Sequence, residues 1–202
     1  VPWTSLLATM FTATGPNAET GLNRPNGSSE IQRRMPDQVQ IVFYAVLSDK
    51  ILIWVISRSQ FLVREIAISR EQLTKEAQTF LSLVTSPSSD LNRLRASART
   101  LYDILIGPVQ DQLVAGKTLC IVPDKILNYL PFAALASSKS DRYLIDDQAL
   151  LFSPSASVFL LNTASATRKQ ERTGEKLLSV GDPDFDRSLF GSLPDLPSAA
   201  RE

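Results

Sequence analysis

The residue types that could do chemistry in this chain are few. Its single cysteine, Cys120, sits in the apolar run "KTLCIVPD". A thiol attacks only as the thiolate, which a neighbouring imidazole or cation normally produces. None of the 202 residues is a histidine. Ser-His-Asp and Cys-His catalysis therefore lack their proton shuttle, and histidine-bearing zinc or iron sites lack their ligand. Lys117 is the nearest cation to Cys120 in sequence. Free cysteine is among the most buried residue types, so Cys120 reads as a packing residue on a strand.

The carboxylates give a second candidate. "GDPDFD" places Asp182, Asp184 and Asp186 two apart, and alternate carboxylates could face a divalent cation. Calcium wants about six or more oxygens, and no distal glutamate completes the set. The stretch reads better as a strand-end turn, with Gly181 for backbone freedom and Pro183 fixing φ. Asp146 and Asp147 are adjacent in "DDQALLFS", a segment that reads as a strand. There they point to opposite faces and cannot form a dyad. "GLNRPNG" lacks the Lys-Ser/Thr ending of a phosphate loop, and Trp3 and Trp54 are not interleaved with basic residues as base-stacking platforms are. No cofactor or metal is expected.

Composition narrows the class further. Lysine plus arginine equals aspartate plus glutamate at 21 each, so no net field favours nucleic acid or acidic membranes. A lone cysteine excludes an internal disulfide and suits a reducing compartment. "LLATMF" is too short to span a bilayer and lacks the basic flank of a signal peptide. The expected location is cytoplasmic.

These residues must be held by a fold, and the pattern for one begins near Val39. Residues 1–35 read as a linker or tail, because "TGPNAETGLNRPNGSSE" is dense in turn formers; Trp3 and the Leu6–Leu7 pair stand out as apolar residues that could dock. "VQIVFYAVLS" is apolar and β-branched on both faces, like a strand covered on both sides. "ILIWVIS" and "FLVREIAI" follow after short polar turns and complete an antiparallel meander. Ser69 caps a helix bearing Leu73, Ala77, Phe80, Leu81 and Val84 on one stripe. A second helix from Leu91 carries Leu94, Ala98, Leu101 and Leu105, with Arg93, Arg95 and Arg99 on a solvated face, and Gly107-Pro108 ends it. "KTLCIVPD" and "DDQALLFS" read as strands. Ser153 as N-cap and Pro154 at the first helical position open a third helix, and "LLSVG" reads as a last strand with an apolar edge that would drive self-association. The order specifies an α/β layered domain.

The run "LCIVPDKILNYLPFAAL", then "RYLIDDQALLFSPSASVFLL" and "LLSVGDPDF", resembles the CHAT domain family of caspase-like cysteine peptidases, often attached to tetratricopeptide repeats. The likeness spans roughly residues 36–202. It implies a caspase-like layered sheet with helices on both faces, incomplete here: a pseudo-protease half over 36–170 and the first strand of a catalytic half over 171–202. The family's catalytic His and Cys motifs lie after the "GDPDF…LP" segment, so neither falls within this chain. On this reading Pro123, Asp124, Pro131, Phe132, Ser153, Pro154, Gly181 and Pro183 are family motif residues with structural roles. Asp182 and Asp184 would lie beside the substrate cleft, able to bind a basic substrate side chain. Expected partners are proteins, among them the missing catalytic half and tetratricopeptide repeats. The alternative is a stand-alone interaction module without activity.

Overall fold

The computed structural model describes residues 28–170. The chain divides into compact units at Ala164, and the account below concerns the first. Among the described residues a five-stranded mixed sheet is its centre, in the order β3-β2-β1-β4-β5. β1 (Val39–Val46), β2 (Ile51–Ile56) and β3 (Phe61–Ile66) form the antiparallel meander, as their alternation and polar turns predict. β4 (Thr118–Val122) and β5 (Ala149–Phe152) then add in parallel on the other side of β1.

Every residue of β1 and β2 is buried, which is why both strands are apolar on both faces. One face carries Val42, Tyr44, Ile53 and Ile121 against the helical hairpin α2 (Arg70–Thr85) and α3 (Leu91–Leu105). Ser69 caps α2 by accepting from the Gln72 amide at 3.1 Å. Asp90 caps α3 through the amides of Asn92 and Arg93. As Gly107-Pro108 predicts, α3 stops at Leu105, and a 3-10 turn over Gly107–Gln112 follows. Gly116 adopts a φ of +80°, a conformation that suits glycine, in the turn before β4.

The other face carries Ile41, Phe43, Trp54 and Cys120 against α1 (Ser28–Arg34) and α5 (Ala156–Gln170). The expected layering, an α/β sheet with helices on both faces, is therefore present. The folded unit starts earlier than the composition suggests: Ile31 and Met35, read as part of a linker, are fully buried. Ile31 on α1 and Met35 just after it bury the same side of this segment, but the turn-rich residues before them hide that signal.

Two local readings are corrected. α5 opens at Ala156, so Pro154 lies outside it and Ser153 is not its cap. Ser155 is: its hydroxyl accepts from the Val158 amide at 3.1 Å and its carbonyl from the Phe159 amide. The buried residues of α5 are accordingly Ala156, Phe159 and Leu160, while Val158 and Leu161 are half-buried. Asp146 and Asp147 belong to a short helix, α4 (Leu144–Asp147), and not to a strand. Asp146 accepts from the Tyr143 amide at 2.9 Å, and Asp147 pairs with Arg142 at 2.9 Å. Capping of the helix start holds Asp146, and the ion pair with Arg142 holds Asp147.

Gly181, Asp182, Pro183, Asp184, Asp186 and the "LLSVG" strand lie outside the described residues. So do Trp3, Leu6 and Leu7.

Candidate functional site at the carboxyl ends of the parallel strands

β1, β4 and β5 run the same way, so the loops that follow them gather along one edge of the sheet. In α/β sheets this edge is where ligands and partners usually meet the fold. The "VPD", "LPFAAL" and "SPSA" motifs all leave β4 or β5 here.

The register of β4 against β1 ends at Val122 opposite Phe43. Pro123 turns the chain away, and its missing N–H cannot extend the ladder. The amide and carbonyl of Val46, three residues beyond Phe43, need other partners, because Val46 is 1% exposed. Asp124 Oδ2 accepts from the Val46 amide at 2.8 Å. The Lys125 ammonium donates to the Val46 carbonyl. Two side chains thus replace the lost backbone ladder. Lys125 reaches its position with a φ of +52°, a backbone strain unusual for a lysine.

The chain then makes 3-10 turns over Lys125–Tyr129 and Phe132–Ala134. Phe132 is fully buried. Its ring stands 5.6 Å from that of Tyr44 and 6.0 Å from that of Phe152. Pro131 precedes the second turn and is half-buried. Tyr44 donates to the Leu105 carbonyl at 3.0 Å, tying the sheet to α3. On the β5 side, the Ser153 amide extends the ladder to Ile121, and its hydroxyl donates to the Ser155 carbonyl at 2.8 Å. Pro154 is exposed. Pro123, Asp124, Pro131, Phe132 and Ser153 all lie in the loops at this edge, where Asp124 and Ser153 hold backbone groups and Phe132 packs on Tyr44 and Phe152.

What the edge offers a partner is apolar and aromatic. Phe152, the last residue of β5, which is the outer strand among the described residues, is 53% exposed, and Tyr129 is 73% exposed beside exposed Asn128. No nucleophile is paired with a base among the described residues of this edge: Asp124, Lys125, Ser153 and Ser155 are committed to backbone groups. No cluster able to hold a metal ion occurs among the described residues.

Cys120 lies within β4, level with Ile41 and Leu151. It is fully buried in the face covered by α1 and α5. Burial pushes its thiol up to about 12, so the thiolate hardly forms near neutrality. The packing role expected for it is the one the geometry allows.

The CHAT domain family model matches residues 95–202, more than half of the chain. The chain belongs to the CHAT domain family. The matched segment contains both motif blocks that brace the carboxyl edge and begins after the meander. Tetratricopeptide repeat protein 28 of Homo sapiens is 29% identical over 147 residues, which is 62% of this chain and 6% of the human protein. The chain thus spans a small fraction of that relative's length. No helix among the described residues is long and apolar enough to cross a membrane.

Two contributors escape a reading of the sequence. Lys125 looks like a loop lysine, and nothing local reveals that its partner is Val46, 79 residues earlier. Gln40 is 1% exposed in the middle of an apolar run; it donates to the Gln112 carbonyl at 2.9 Å and accepts from the Val114 amide at 2.6 Å. A buried glutamine on a core strand signals such a bond but does not name its partner.

Proposed function

We propose that residues 28–170 of this CHAT domain chain are the non-catalytic, pseudo-protease half of a caspase-like cysteine peptidase. Its task is to present a rigid sheet edge to the half that hydrolyses peptide bonds. The observation that carries this is the contrast between the sealed thiol of Cys120 and β5, the outer strand among the described residues, whose terminal Phe152 is 53% exposed. A chain without histidine cannot run Cys-His chemistry by itself, whereas a parallel edge strand can take a further strand. In the complete enzyme a thiolate from the other half attacks the peptide carbonyl. Its histidine shuttles the proton, and backbone amides hold the oxyanion.

Within this reading Asp182 and Asp184 flank the substrate cleft and favour a basic side chain at the scissile position. Gly181 and Pro183 shape that turn, and protein partners, tetratricopeptide repeats among them, bring the domain to its substrate in the cytoplasm.

The test pairs two assays. The 202-residue chain is expected to leave peptide esters intact. The same chain supplied with a catalytic half of the family, bearing its His and Cys motifs, is expected to cleave them, and to stop when that half's cysteine becomes alanine. Turnover by this chain that vanishes in Cys120→Ser would overturn the proposal.

A further inference from the structure

The stripes of α2 and α3 run past the core they cover. Leu73, Ala77 and Phe80 of α2 are buried, but Val84, one turn on, is 41% exposed. On α3, Ala98, Leu101 and Leu105 are buried, while Leu94 is only half-buried and Leu91 is 66% exposed. A half-open groove of about 400 Å³ is lined by both helices and the Phe132–Ala134 turn. Phe80 and Ala98 are the buried residues of its lining. Ala133 and Ala134 leave its depth unfilled, and Val84, Leu94 and Tyr143 complete the apolar wall. Tyr143 is 39% exposed, so this wall is open to solvent.

Among the described residues, one charged side chain lines this groove, Arg95. It has no ion pair among the described residues, whereas Arg99, one turn further along α3, is engaged by Asp141. Arg95 acts on Asp141 only through space. Arg93 is exposed on the same helix. The groove therefore joins an apolar trough to a positive rim that makes no direct ion pair among the described residues. An apolar trough that is open on one side and carries a cation at its rim suits the apolar face of a helix flanked by carboxylates.

We propose that the α2–α3 groove is a docking site for an amphipathic helix of a protein partner. Its apolar residues at i, i+3, i+4 and i+7 fill the trough, and a glutamate or aspartate on its flank meets Arg95. This surface lies on the α2–α3 hairpin and is independent of the β5 edge and of peptidase activity. The acidic flank sets specificity and the apolar face supplies most of the affinity.

The test uses two synthetic amidated peptides of about 14 residues, roughly four helical turns. Both carry leucine at i, i+3, i+4 and i+7; one is flanked by glutamates and the other by lysines. Binding to the 202-residue chain is followed by fluorescence anisotropy at low salt. The acidic peptide is expected to bind about fivefold tighter, as a rim ion pair allows. Arg95→Glu, an exposed change that leaves the core alone, is expected to reverse that preference. Ala134→Leu, which fills the trough, is expected to weaken both peptides; circular dichroism checks that it is folded. Equal binding of both peptides, or a preference untouched by Arg95→Glu, would overturn the proposal. So would binding of neither peptide, whether because a second copy of the chain covers the face, seen as concentration-dependent mass in sedimentation, or because the chain's own residues 1–27 occupy it, seen as binding regained on their deletion.

Discussion

Replacing Asp124 probes the idea that the "VPD" motif is a brace for the sheet. Its carboxylate oxygen lies 2.8 Å from the Val46 amide, and that residue is 1% exposed, so water cannot take its place. Asp124→Ala leaves a buried donor without an acceptor. Removing one partner of a hydrogen bond to a charged group costs about 1.5–3 kcal/mol, and we expect about 2 kcal/mol here. Asp124→Asn keeps an acceptor oxygen at nearly the same place. A neutral acceptor is about half as strong as a charged one, so the asparagine is expected to cost about 1 kcal/mol. Lys125→Met removes the bond to the Val46 carbonyl. Because both side chains act on one peptide unit, the Asp124→Ala/Lys125→Met pair should lose less than the sum of the singles. Urea unfolding followed by the fluorescence of Trp54, itself buried in the core, gives the free energies. The reasoning fails if Asp124→Ala costs less than about 0.5 kcal/mol, the range of ordinary surface changes. It fails equally if asparagine is as damaging as alanine.

Three other changes test the remaining structural assignments. Burial raises the Cys120 thiol from 9.0 to about 12, so the folded chain holds a proton that the unfolded chain releases; stability from this group is complete below pH 9 and is lost as pH rises towards 12. Urea unfolding should show a loss of about 2–3 kcal/mol near pH 11 that Cys120→Ala reduces, although Tyr44, also raised by burial, keeps a share of it. A thiol reagent at neutral pH should label Cys120 only as fast as the protein opens. Tyr44→Phe removes the hydroxyl that donates to the Leu105 carbonyl and leaves that buried acceptor unmatched, with an expected loss of about 1–2 kcal/mol by thermal or urea denaturation. Ser155→Ala should cost about 1 kcal/mol as the loss of the α5 N-cap, and Ser155→Asp should restore most of it; equal stability of Ser155→Ala and the parent would remove that assignment.

The sequence alone determined the layers and the chemistry they exclude. Continuous β-branched runs at Val39–Val46 and Ile51–Ile56 can be stable only when both faces are covered, and helical stripes on α2 and α3 provide one cover. The absence of histidine and the apolar setting of Cys120 follow from composition, because a proton shuttle needs its residue type. Boundaries were less legible. The buried Ile31 and Met35 are hidden by their turn-rich neighbours, and "SPSAS" offers more than one serine able to cap a helix. Only the tertiary structure decided what holds the motif edge together. Asp124 and Lys125 answer Val46 from 78 and 79 residues away. Which backbone groups a strand leaves unpaired depends on where its neighbour turns aside, and that is set by register between distant segments, not by any local pattern. The same holds for the α2–α3 groove: periodicity marks Val84 and Leu94 as core, and only the packing of the two helices leaves them beside an open trough with Arg95 at its rim.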